Sequence, residues 1–99
     1  MKIKIQYVNL DNSNSLSTYT IQKLEGLAKK YDWVINCSVS FKEDNNYQKN
    51  WKICNMELSL PGPRIFASST ERNFEMAVKE TIGDLEKQLK KRKQLFATY

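Results

Sequence analysis

Five cations stand within seven residues near the end of the chain: Lys87, Lys90, Lys91, Arg92 and Lys93. Ammonium and guanidinium groups at this density suit charge-assisted hydrogen bonding to anionic oxygens, above all those of phosphate. Four of the five are consecutive. At about 100° per residue on a helix they radiate around the whole axis, including along any apolar stripe. A segment charged on every side cannot lie flat on a core, so its helix is expected to run past its sheet and present a cationic end. The plainer reading is a solvated helix terminus, since a basic last turn also complements the helix dipole. The rest of the chain shifts that balance. A formal net charge of +5 and a pI near 9.3 favour an anionic partner, nucleic acid first and an acidic membrane surface second.

Catalysis has little to stand on. The chain has no histidine, and so lacks the commonest general base and the commonest metal ligand. Its three glycines are scattered and form no phosphate loop, and no nucleophile elbow or metal-ligand spacing is present. Glu80, Asp84 and Glu86 sit among lysines as ordinary helix-surface pairs. No enzyme, catalytic residue, metal site, cofactor or small-molecule substrate is therefore expected. Two cysteines are too few for a disulfide scaffold. A hairpin centred on residues 45 and 46 would set Cys37 directly across from Cys54. Both would then face the core, either as a redox pair or, the favoured reading in a reducing cytosol, as two buried thiols that behave as small hydrophobes.

The elements that must position the cations follow from periodicity. Ile3, Ile5 and Tyr7 alternate with Lys2, Lys4 and Gln6, which predicts a half-buried strand over residues 2–8. Ser13 is placed to cap a helix over about 14–31, with Leu16, Thr20, Leu24, Leu27 and Tyr31 inward. Lys23 lies beside that stripe, where a snorkelling stem is the bland alternative to a binding role. Residues 34–42 alternate again, with Ile35, Cys37, Val39 and Phe41 on one side and Lys42 on the other. A polar loop over 43–48 leads to a strand over 51–60, with Cys54, Met56, Leu58 and Leu60 inward and Trp51 and Ile53 outward. Pro61-Gly62-Pro63 must turn, and a fourth strand follows over 64–69 with Phe66 outward. Asn73 caps a second helix over 74–96, whose stripe is Phe74, Val78, Ile82, Leu85 and Leu89.

The order is β-α-β-β-β-α, an α+β fold. The last three strands should form an antiparallel meander, and the first should lie parallel beside the second through a helical crossover. Two helices on one face of a four-stranded sheet is the economical packing, an arrangement like that of double-stranded-RNA-binding modules. Lys23, Lys29 and Lys30 on the first helix would then converge with Lys79, Lys87 and residues 90–93 on the second. No apolar run approaches membrane-spanning length, and the N-terminus alternates instead of building a signal-peptide core. The cytosol is the expected place.

With these residues in order, the chain resembles the short ribosome hibernation-promoting factors related to protein Y. The likeness runs through Lys23-Leu24, Leu27, Tyr31-Asp32 and Val39-Ser40-Phe41-Lys42, then Ile65-Phe66-Ala67-Ser68, and closes with residues 85–91, Leu-Glu-Lys-Gln-Leu-Lys-Lys. It implies a single ribosome-binding domain over residues 1–99 without the dimerising domain of the long form. It also implies a function without catalysis: occupation of the decoding channel of the small ribosomal subunit, exclusion of mRNA and tRNA, and silencing of translation under stress. Lys23, Lys42, Lys87, Lys91 and Lys93 match basic positions of the family, while Lys30, Lys79, Lys90 and Arg92 are added from charge geometry. The implied partners are the small subunit and its rRNA, with no membrane, and the free protein is expected to be monomeric. Two other readings stand beside this one: a general structured-RNA-binding module, and a small enzyme or adaptor that uses the Trp51, Ile53 and Phe66 face.

Overall fold

The computed structural model describes residues 1–44 and 50–97. In chain order it contains β1 (Lys2–Tyr7), α1 (Asn14–Lys30), β2 (Asn36–Asp44), β3 (Trp51–Ser59), β4 (Ile65–Glu71) and α2 (Phe74–Ala97). The four strands form one mixed sheet in the order β1-β2-β3-β4, with β1 parallel to β2 and the other neighbours antiparallel. This is the expected topology. The middle of the expected polar loop, residues 45–49, lies outside the described residues.

Both expected caps are in place. The Ser13 hydroxyl accepts from the Leu16 N–H at 3.3 Å, and the Asn73 side-chain oxygen accepts from the Met76 N–H at 2.8 Å. Asn9, with φ of 55°, takes a left-handed conformation that Asn tolerates, just after β1 ends.

One face of the sheet carries the core. Cys37, Val39 and Phe41 of β2, Cys54, Met56 and Leu58 of β3, and Ile65 and Ala67 of β4 are buried. Leu16, Leu24 and Leu27 of α1 and Val78, Leu85 and Leu89 of α2 belong to the same core, so both helices cover this face. Ala77 and Thr81 also lie in it, outside the expected α2 stripe. The buried hydroxyls of Thr20 and Thr81 each donate to the carbonyl four residues earlier at 2.7 Å, which removes the cost of burying them.

The helices run parallel. At one end of the sheet the Tyr7 hydroxyl meets Ser13 and Ser17 at the start of α1. Phe41, against Tyr7, also touches Phe74 at the start of α2, both ring pairs at 5.3 Å. Beyond the last turn of α1, Trp33 touches Phe96 in the last turn of α2, again at 5.3 Å.

Two expectations need correction. Ile35 is 54% exposed, not inward: β2 begins at Asn36, and Ile35 sits at the last rung, where its carbonyl accepts from Lys2. Cys37 is paired with Leu58 and Cys54 with Phe41, not with each other. The ladder extends to Asp44 and Trp51, so the hairpin centre lies further along the chain than residues 45 and 46. Alternation fixes which face a residue takes, and a slip by an even number of residues leaves every face unchanged.

Candidate nucleic-acid interface

Contacts between the helices fix which flank of each faces the other. Lys30 Nζ lies 3.3 Å from Glu86 Oε2, and Lys93 Nζ lies 6.0 Å from the centre of the Tyr31 ring. Lys79, Glu86 and Lys93 follow at seven-residue spacing, nearly two full turns each, so they stack along the α2 flank that faces α1. Lys90, four residues after Glu86, lies above them. On α1, Lys23 is two turns below Lys30 and holds its Nζ 5.5 Å from the Tyr19 ring centre. The structure therefore brings Lys23, Lys30, Lys79, Lys90 and Lys93 to the two rims of one groove between the helices. All five are exposed, as is Lys29. Lys87 and Lys91, one turn apart and exposed, continue the cationic surface over the outer side of α2.

Glu86 is the counterweight inside the groove. Half-buried, it pairs with Lys30 and lies close enough to the Tyr31 phenol for its charge to act on it. Burial, then the Glu86 carboxylate, pushes the Tyr31 phenol up, so it stays a neutral donor at physiological pH. The exposed Lys30–Glu86 pair contributes less than about 1 kcal/mol, and Lys30 can exchange it for a phosphate.

Two predicted residues take other places. Arg92 falls on the line of Leu85, Leu89 and Phe96, where the all-round charge pattern puts it. Its guanidinium bends to the Pro61-Gly62-Pro63 turn, with Nη1 donating to the Pro61 carbonyl and Nη2 to the Pro63 carbonyl, both at 3.0 Å. Gly62 is what lets the guanidinium lie so close. Its φ is +91°, and a Cβ there would come within 2.9 Å of Nη1. Arg92 thus ties the helix end to the turn before β4. Lys42 is exposed on β2, with Phe41 beside it in the core, so it points to the opposite face of the sheet from the helices. The resemblance supplied Lys42, and the groove does not include it.

Sequence reasoning missed both devices that shape the groove. Nothing local marks Arg92 as a tether, because its partners lie about thirty residues earlier. Glu86 passed as one more helix-surface carboxylate, and only the packing of α1 beside it gives it a place between lysines.

The two cysteines stay out of this chemistry. Both are free and buried, and burial pushes the Cys37 thiol up to about 12 and the Cys54 thiol up to about 11. Among the described residues no group of three or more His, Cys, Asp or Glu side chains could hold a metal ion. No described helix is long and apolar enough to cross a membrane.

A parallel helix pair with lysines on both rims, laid on a mixed sheet, can be compared with proteins of known kind. The profile of the sigma 54 modulation protein / S30EA ribosomal protein family matches residues 3–95. The chain belongs to this family. S30EA-family proteins are ribosome-associated and non-enzymatic, as the resemblance to protein Y relatives implied. A ribosomal subunit interface protein from Coxiella burnetii superposes with a TM-score of 0.85 at 26% identity, covering 95% of this chain and 99% of that one. The N-terminal domain of Thermus thermophilus protein Y superposes at 0.79 with 20% identity, over 92% and 98% of the two chains, and shares the fold. No curated protein sequence gives a significant match.

Proposed function

We propose that this S30EA-family chain binds the small ribosomal subunit at the decoding channel and silences translation by occupying the space of mRNA and tRNA. The observation that carries this reading is the lysine groove. Lys23, Lys30, Lys79, Lys90 and Lys93 line two parallel helices, with Lys87 and Lys91 beside them. Flexible ammonium groups on two rims suit a folded RNA whose phosphates come from more than one direction. The mechanism is occlusion held by charge, without a covalent step. On this reading residues 1–99 act in the cytoplasm as one ribosome-binding domain, monomeric when free and useful under stress or starvation. The likeness to the Coxiella burnetii protein, itself a ribosomal subunit interface protein, supports a ribosomal partner.

Added to a translation extract, the protein should lower output in proportion to the small subunits it occupies. Unchanged output at saturating protein would contradict the proposal.

A second reading has its own support. Lysines on phosphates read no sequence, and helices laid on a largely antiparallel sheet suit the shape recognition of double-stranded-RNA-binding modules. Here a parallel β1 precedes α1, which those modules lack. Equal affinity for small subunits and for an unrelated RNA duplex would favour this general RNA-binding role.

A further inference from the structure

Among the described residues no element covers the face of the sheet turned away from the helices, and its side chains are graded across the strands. The paired residues Lys4, Ser38, Glu57 and Phe66 form one row from β1 to β4. Gln6, Ser40, Asn55 and Ser68 form the next. Short polar side chains therefore floor the middle of the sheet, with lysine on the β1 side and an aromatic ring on the β4 side. The result is a shallow hollow of about 260 Å³ lined by the first row and by Gln6, Ser40 and Asn55 of the second, about three strand spacings or ~14 Å wide. Phe66 is 58% exposed on the hollow's rim. Its flanking neighbours, Ile65 and Ala67, fill the core side of β4, so packing does not require an aromatic at position 66.

Charge on this face favours an anion. Lys2, Lys4, Lys42 and Arg64 stand against Glu57 and Asp44, a balance of four positive to two negative, or +2. Glu57 is paired with Arg64 at 2.6 Å, which holds its charge at the β4 side beside Phe66. The lysine column on β1 is left to meet a backbone. Asn55 accepts from Ser68, which keeps its amide nitrogen available as a donor.

We propose that this open face is a second RNA-binding surface, one that takes a single-stranded segment with a base stacked on Phe66 and its phosphates toward Lys2 and Lys4. An aromatic on an open sheet face offers a platform to any base, while short hydroxyl and amide side chains beneath meet base edges. The surface lies on the opposite side of the sheet from the lysine groove. A protein carrying both would grip RNA on two sides, as a body lodged in an RNA-walled channel must. The inference goes beyond the groove and does not need it, because a short oligonucleotide tests it without ribosomes.

The test is titration of the full chain with a single-stranded oligoadenylate of eight nucleotides, followed by amide NMR shifts and by fluorescence anisotropy. Shifts should cluster at Ser38, Ser40, Asn55 and Phe66. Phe66→Ala and Phe66→Leu should each weaken binding at least about fivefold, and Phe66→Trp should restore it. Lys4→Gln should weaken it less and flatten its salt dependence. Position 66 is exposed, so melting temperatures should not move. Shifts confined to the helices, or Phe66→Ala binding as the wild type does, would overturn the proposal. Small-subunit binding that falls in Phe66→Ala while the oligonucleotide does not bind would also overturn it, since the face would then meet the subunit without taking single-stranded RNA. Oligonucleotide binding at this face without small-subunit binding would uphold the inference while the proposed ribosomal function fails.

Discussion

From Phe74 to Leu89, α2 buries Ala77, Val78, Thr81, Leu85 and Leu89; from Lys90 to Phe96 none of its residues is buried. One helix thus does two different jobs along its length. The first part is held by burial, with Leu85 and Leu89 fully enclosed. The second part is held by two ties at its side, Arg92 on the Pro61-Gly62-Pro63 turn and Phe96 on Trp33. The apolar stripe does not stop at Leu89. It continues through Arg92 and Phe96 as groups that are both partly exposed and in contact. A cationic end can therefore be oriented without being buried, and its lysines stay exposed to solvent.

Substitutions in the two parts should separate stability from binding. Leu85→Ala, in the buried part, should cost about 3 kcal/mol by leaving a cavity and losing apolar burial, read as a fall in the denaturation midpoint. Arg92→Gln removes two charge-assisted bonds to carbonyls and should cost about 1–2 kcal/mol. Its loss of subunit binding should be modest, through a looser helix end instead of a lost phosphate contact. A binding loss as large as that of a lysine pair, with no change in melting, would place Arg92 on the RNA instead. Gly26→Ala should stabilise by about 1 kcal/mol: the site is exposed mid-helix, and a Cβ there meets nothing within 4 Å. Smallest of all, Glu86→Gln should change stability by less than about 1 kcal/mol while removing the negative charge from the groove. Subunit binding should tighten, and a weakened complex would mean that Glu86 positions Lys30 instead of opposing the RNA.

Much of this was legible in the sequence, for reasons that are local. Alternation and the helical period are read within a few residues, so the six elements, their order and the core faces follow directly. Ser13 and Asn73 announce their helices by chemistry that acts across three residues. What failed depends on distance along the chain. Parity placed Cys37 and Cys54 on the core side but could not choose between registers four residues apart. Ile35 kept the right phase but lay at the sheet's end, where no cover reaches it. The candidate site divides the same way. The lysine block was plain from composition, and alternation already turned Lys42 away from the core. The direction of Arg92 and the place of Glu86 between lysines needed the packed helices.

The central claim is that lysines on the helical face hold the protein on the small ribosomal subunit, with the end of α2 at the RNA. Co-sedimentation with purified small subunits at two salt concentrations tests it most directly, comparing the wild type with a variant in which Lys87, Lys90, Lys91 and Lys93 are glutamine and Arg92 is kept. Wild-type binding should weaken steeply with salt, and binding by the variant should collapse while its melting temperature is unchanged. Equal, salt-insensitive binding by both proteins would contradict it.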